Sequence, residues 1–407
     1  SIHYFKLAAD QNDKYAQYYL GKIYFEKYFP KDIMKAIHYF KLAAAQNHLK
    51  SQIMLGMIYL FGKNVSHDIT KSLYYFSLAA NQNNPYAQYI IGLLYSNDDY
   101  ISCDIKKSIH YLMLASDQNY TSAQRKLGLI YYDNKYISCD IKKSIHYFTL
   151  AANQKDLLSL VYLGWIYYIG YYVSADINKS IHYFTLAANQ NASFPQLCLG
   201  IIYYENMRIP VDINKSIHYF SLAANQNVSM AQFYLGLIYY DNLYVPIDIN
   251  KSIHYFSLAA KQNHRKALFY LGLIYSDEKN ASIDINKSIN YFSLAAKQND
   301  SMAQFYLGLI FYDSFHVPID INKSIYYLTL SANQNNSMAQ LYLGLIYSDE
   351  KNASIDISKS IHYLMLSANQ NNSIAQFHLG FIYLLGKNVP FDINKSIYYL
   401  TLSANQK

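Results

Sequence analysis

Eight histidines recur at one place in a repeating pattern: His3, His38, His110, His146, His182, His218, His254 and His362. A column of imidazoles is the residue type for metal ligation or proton transfer. Each sits in a run such as S-I-H-Y-F. Projected at about 100° per residue, it falls opposite the Ile, Tyr, Phe and Ala side chains of that run. Two intervening helix packings at roughly 8–10 Å each put consecutive histidines about 16–20 Å apart. A zinc–nitrogen bond is about 2.0–2.1 Å, so no two of them can share an ion. Tyr74, Asn290, Tyr326 and Tyr398 stand in the same column, and the column reads as a solvated face.

The acid–base candidates resolve similarly. Asp248 and Lys251, with their equivalents, lie three residues apart at a helix start, which fits an N-cap and an exposed side-chain pair. Cys103, Cys139 and Cys198 form no C-x-x-C and no metal spacing. Cys103 and Cys139 occupy equivalent repeat positions, too far apart for a disulfide, which needs Cα atoms within about 7 Å. Fifteen N-x-S/T sequons occur, six of them (Asn178, Asn214, Asn250, Asn286, Asn322 and Asn394) at helix starts. Glycans so closely spaced would crowd the array. With the few thiols, this sets the expectation of a cytoplasmic chain. G-x-G-x-x-G, P-loop, G-x-S-x-G and H-E-x-x-H motifs do not occur. The expectation is no catalytic residue, no cofactor, no metal and no enzymatic activity.

The elements that carry these residues follow from an internal repeat. Eleven glycines share one register: Gly21, Gly56, Gly92, Gly128, Gly164, Gly200, Gly236, Gly272, Gly308, Gly344 and Gly380, each step 36 residues except the first, which is 35. Eleven aspartates from Asp32 to Asp392 keep the step of 36, so a one-residue deletion lies between Gly21 and Asp32. A half-repeat at 1–12 and eleven full repeats from 13 to 407 then form a single array over 1–407. In the repeat 228–263, helical spacing runs from Ser229 to about Asp241, and Asn242 to Ile247 with Pro246 reads as a loop. Asp248 caps a second helix, whose face is Ile249, Ser252, Ile253, Tyr255, Phe256, Ala259 and Ala260. Each repeat is helix A, loop, helix B. Stacked neighbours bury what one hairpin cannot. A mid-helix glycine costs about 1 kcal/mol relative to alanine, so its recurrence predicts a close helix B crossing.

Composition narrows the class. Hydrophobic residues make up 52% of 407 residues, with 47 tyrosines and seven prolines. No run approaches the roughly 20 apolar residues of a membrane span, so no membrane insertion is expected. Net charge is +7, but arginine occurs only at Arg125, Arg208 and Arg265 and the lysines are dispersed. A nucleic-acid reader gathers basic residues on one face, so no nucleic acid is expected. The first residue is Ser1, which reads as a fragment or processed chain.

The pattern A-Q-x-x-L-G-x-I-Y, a loop ending V-P-x-D, and K-S-I-x-Y-F-x-L-A-A-x-Q-N resembles the Sel-1-like repeat, a tetratricopeptide-related family, over essentially the whole chain. The resemblance implies an all-α right-handed superhelical solenoid and an adaptor without chemistry of its own. It departs in the A–B loop, where glycine survives only at Gly62, Gly170 and Gly386, and at the end of helix B, where the family usually carries glycine and this chain closes on runs such as Lys261-Gln262-Asn263. Asparagine can stand in where a positive φ is needed.

In related solenoids, the positions three before, one after and four after the register glycine line the concave face. Here these include Val161, Trp165 and Tyr168; Leu197, Ile201 and Tyr204; Phe233, Leu237 and Tyr240. They continue with Phe269, Leu273 and Ser276; Phe305, Leu309 and Tyr312; Leu341, Leu345 and Ser348. So apolar a groove is either a partner surface or closed by packing between repeats. The leading expectation is a monomeric scaffold gripping a protein, peptide or partner helix through these side chains. The rivals are an RNA-reading helical repeat, which would need a basic groove, and the targeting arm of an enzyme whose catalytic domain precedes Ser1. Ser276–Asp284 and Ser348–Asp356 are identical, 72 residues apart, and alternate with the loops bearing Leu243-Tyr244 and Phe315-His316. A duplicated pair of repeats explains this alternation. Twin anchors at Tyr240 and Tyr312, about 32–40 Å apart, are the functional alternative.

Overall fold

The computed structural model describes residues 2–26, 32–62, 65–97, 102–133, 137–171, 173–205, 209–277, 283–313, 317–349, 356–386 and 389–405. Ser1, Arg208, Phe315-His316, most of the two duplicated loops and part of the Gly21–Asp32 span lie outside them. The described residues form twenty-three α-helices and no strand. The chain divides into two compact units, Ser1–Pro195 and Gln196–Lys407. Within each, a helix A packs against its own helix B, and that helix B against the next helix A.

The hairpin Ser229–Tyr240 and Ile249–Lys261 shows why this sequence folds so. Helix B starts where the Asp248 carboxylate accepts from Lys251 N at 3.0 Å. Lys251 Nζ returns to Asp248 Oδ2 at 3.3 Å and lies 4.9 Å from the Tyr239 ring centroid. That ring stacks on Tyr255 at 6.0 Å. Helix B stops at Asn263, which takes φ 58°. All eleven helix B ends with a non-glycine at positive φ use Asn except one, which uses Lys155. Asn tolerates the left-handed region because its short polar side chain bonds locally.

Asparagine does not take this part in the described A–B loop 241–248. Asp241 leaves helix A at φ −95° and ψ 134°, and no residue of that loop has positive φ. Helix A meets left-handed backbone at its end only at Gly62, Gly170 and Gly386 among the described residues. Where the loop departs in extended backbone, a residue of either kind serves.

The register glycine marks the tightest contact. A Cβ on Gly236 would stand 2.5 Å from Cδ1 of Phe256, a fully buried ring. The same contact recurs with Phe184 at Gly164 and with Leu328 at Gly308. It is thus a helix B side chain that occupies the space. Beside it, the Ser252 hydroxyl donates to Gly236 O at 2.9 Å, fully buried. Ser180 to Gly164 and Ser324 to Gly308 repeat this bond. The serine had read only as part of the apolar face. Its signal was a serine four before the aromatic or leucine that meets the glycine in ten of the eleven full repeats, with Ala36 in the other.

A polar ladder ties successive helices. Gln262 Nε2 donates to Gln232 Oε1 at 2.9 Å, and Gln232 Nε2 to Ala224 O at 3.3 Å. Equivalent pairs join Gln82 to Gln52 and Gln370 to Gln340. Where Leu160 replaces the acceptor glutamine, Gln190 donates to Lys155 O instead. A buried amide needs its partners, which is why the A-Q pair accompanies the Q-N pair.

Candidate interaction surface

The face of helix A opposite the glycine is the place to look for a site, because helix B covers the other. A helix in a stack has a neighbour on each side, and this divides the groove positions. Three before the glycine, the side chain points into the junction with the following hairpin. Phe233 is 5% exposed, against Phe256, His264 and Tyr270. Phe305, 6% exposed, packs on Tyr306 and Tyr342, and half-buried Phe269 on Phe292 and Tyr306. Leu341 is buried too. Phe233 and Phe305 are therefore junction residues, and their expected place on an open groove is corrected.

Four after the glycine, the tyrosines are half-buried and meet a ring of the next helix A edge to face. Tyr204 meets Tyr234 at 5.6 Å, Tyr240 meets Tyr270 at 5.5 Å and Tyr312 meets Tyr342 at 6.1 Å. Burial raises the Tyr204, Tyr240 and Tyr312 phenol pKa values, and the tyrosines and aspartates around them add to the rise. One after the glycine, Leu197's neighbour Ile201, then Leu237, Leu273 and Leu309, are half-buried, while Trp165 is 37% exposed. Leu197 itself is half-buried, as is Tyr168.

The exposed line continues through a position the groove reading missed, six before the glycine. Leu158, Phe194, Met230, Met302, Met338 and Ile374 occupy it, all exposed. The signal was available, since residues seven apart share a helix face and this position is seven before Trp165 or Leu237. In the first unit, the apolar line is unbroken on helix Leu157–Ile169: Leu158, Trp165 and Ile169 are exposed. The Trp165 ring lies 5.6 Å from Tyr168 and 6.1 Å from Phe194. A cavity of about 170 Å³ lined by Tyr132, Ile166, Ile169 and Tyr171 adjoins Ile169. A second, of about 400 Å³, is lined by Phe25, Met54, Met57, Ile58 and Phe61.

The groups capable of chemistry lie apart. All eight column histidines are exposed, each edge-on or close to its following tyrosine, as His254 is to Tyr255 at 5.1 Å. Burial pushes the Cys198 thiol up to about 12, which leaves no thiolate for nucleophilic work. The helix B aspartates are held low by the lysine backbone N–H and by the lysine side chain, as at Asp212. Among the described residues, no group of three or more His, Cys, Asp or Glu could hold a metal ion, and no helix is long and apolar enough to cross a membrane.

A family model described as Sel1 repeat matches twelve stretches: residues 1–13, 14–48, 49–84, 85–120, 121–156, 158–191, 199–228, 229–264, 265–300, 301–336, 337–372 and 373–407. Among solved structures, the chain is similar to c5321, a protective antigen of uropathogenic Escherichia coli strains displaying an SLR fold. Identity is 26%, all of this chain and 87% of that one are covered, and the TM-score is 0.77. It is also similar to a Sel1 repeat protein from Oxalobacter formigenes, at 25% identity over 76% of this chain and 90% of that one, with a TM-score of 0.60. No curated protein matches. Tandem hairpins, the register glycine with its helix B side chain, and the match along nearly the whole sequence lead to one conclusion: this all-α solenoid chain belongs to the Sel1 repeat family, whose members are generally protein-interaction scaffolds.

Proposed function

We propose that the chain is a non-catalytic scaffold, one monomeric array over residues 1–407, that binds an apolar segment of a partner protein on its helix A face. The observation that carries this reading is the aromatic patch of helix Leu157–Ile169. There Leu158 is 51% exposed, and Phe194 of the next helix A, 48% exposed, lies 6.1 Å from the ring of the chain's single tryptophan. Exposed aromatic side chains grouped with aliphatic ones are the usual anchors of protein interfaces, and burying them from water is favourable. Half-buried Tyr168 and the cavity beside Ile169 extend the patch. Leu237, Leu273 and Leu309 provide a lesser apolar line in the second unit.

The test is selection of a random peptide library on the full-length chain. Selected peptides should be apolar, should shift Trp165 fluorescence on binding, and should bind roughly 30-fold more weakly to Trp165→Ser, the loss of a hot-spot side chain of about 2 kcal/mol. Peptides that bind without touching Trp165 emission, and equally to Trp165→Ser and Phe194→Ser, would remove this patch from the function.

A further inference from the structure

Eleven times the chain builds the same cation site for its own use. A lysine is held between the aspartate that caps helix B and the aromatic ring three residues after the register glycine. Lys215 lies 3.1 Å from Asp212 and 5.0 Å from the Tyr203 ring centroid, and Lys323 lies 3.1 Å from Asp320 and 5.2 Å from that of Phe311. Carboxylate on one side and ring face on the other satisfy both the charge and the apolar stem of a basic side chain.

One corner of the second unit repeats the two wall components without the cation. Asp241 follows helix Ser229–Tyr240, and its carboxylate is exposed. Among the described residues, no lysine or arginine pairs with it, although each cap aspartate nearby has one. The loop after it turns back so that the exposed Tyr244 ring meets Tyr204 at 5.9 Å and 73°. Tyr204 meets Tyr234 from another side at 5.6 Å and 65°. Tyr240 and Tyr270 complete the wall at 5.5 Å and 75°. Burial raises the Tyr204, Tyr240 and Tyr270 phenol pKa values, and the Asp241 charge adds to each rise.

We propose that Asp241 and the Tyr204–Tyr244 wall receive an arginine side chain of a partner polypeptide. A planar guanidinium can stack on a tyrosine ring while donating to a carboxylate, which an ammonium does less well. The charge complements an anionic corner that has no counter-ion among the described residues. Exposed Met230 and half-buried Leu237 lie on the same helix, so the arginine would sit within an apolar segment. This rests on the reading that the helix A face binds polypeptide, and it names the chemistry of the partner in the second unit.

The same library selection tests it, followed by synthetic peptides in which the selected arginine is replaced by citrulline, its uncharged isostere. The full-length parent should enrich arginine at one fixed position among apolar residues. Citrulline should weaken binding about tenfold. Asp241→Asn and Tyr244→Leu should each bring the arginine peptide close to the citrulline level and leave the citrulline peptide unaffected, with the helical spectrum unchanged. Equal binding of arginine and citrulline peptides, or an arginine preference that survives Asp241→Asn, overturns the assignment. If peptides are enriched that depend on Trp165 and ignore Asp241, the arginine site falls and the scaffold reading stands. If no peptide is enriched, both fall.

Discussion

Replacing Gly236 by leucine asks whether the register glycine is there because a neighbour needs its space. The first atom added, Cβ, would stand 2.5 Å from Cδ1, 2.6 Å from Cε1 and 2.9 Å from Cγ of Phe256. That ring is fully buried, stacked on Tyr270 at 5.2 Å and in contact with Phe233 at 5.8 Å, so it has nowhere to withdraw. Overpacking of this kind costs about 1–3 kcal/mol, and leucine's better helix propensity returns under about 1 kcal/mol. Three further carbons with no space of their own place the outcome in the upper part of the range. An array of repeats does not unfold as one two-state transition, so the assay is local amide hydrogen exchange resolved by peptide. A local loss of about 1–3 kcal/mol corresponds to exchange roughly fivefold to more than a hundredfold faster. It should be confined to 229–261 and the adjoining hairpins, since each repeat leans only on its neighbours. Helices Ile33–Ala45 and Leu49–Phe61 should exchange as in the parent. Protection of 229–261 that stays level or rises would show that the space is not needed, and the account of the glycine register would be wrong.

Two further outcomes follow from the caps. Asn263 holds φ 58°, so Asn263→Ala should destabilise that helix end by about 1–2 kcal/mol while Asn263→Gly is nearly neutral, read as exchange of 249–263; equal effects of the two would refute the conformational argument. His264 caps helix Arg265–Ser276 through Nδ1, accepting from Ala267 N at 3.3 Å, and stacks on Phe233 at 4.8 Å. Burial lowers its pKa, with Lys266 adding, and burial likewise lowers that of His48, which caps Leu49–Phe61. The unfolded chain would take up protons near the ordinary value of about 6.5 that the folded caps refuse. The stability of these two hairpins is therefore complete above that pH and declines as pH falls below it. His264→Asn should keep a cap and abolish the decline at 265–276; a decline of the same size in that variant would place its origin elsewhere.

The family, the repeat length and the hairpin were legible because they rest on contacts a few residues apart. Asp248 reaches an amide three residues on, and Asn263 closes the helix that precedes it. Lys251 and Asp248 are one helical turn apart. The histidine column could be placed opposite the apolar face from periodicity, because which residues share a face is set within one helix. The A–B loop was less legible. Asp241 and Tyr244 lie in a segment without periodicity, and nothing local shows that Tyr244 turns back to Tyr204, forty residues before it.

What the sequence by itself determined is therefore each hairpin: its period, its two helices, the caps that start them and the left-handed asparagine that ends the second. Those are set by backbone sterics and by hydrogen bonds within one turn. What only the tertiary structure decided is which outer side chains of helix A remain outside. Phe233 and Met230 are both apolar and three residues apart on one helix, yet one is buried and the other exposed. The difference lies in the next hairpin, whose His264 and Tyr270 come 31 and 37 residues later to cover Phe233. The pairing of Gln262 with Gln232 and of Ser252 with Gly236 depends on the same stacking, across 30 and 16 residues. A helical period says which residues share a face. Whether that face meets water is settled by the angle and distance at which the neighbouring helix arrives.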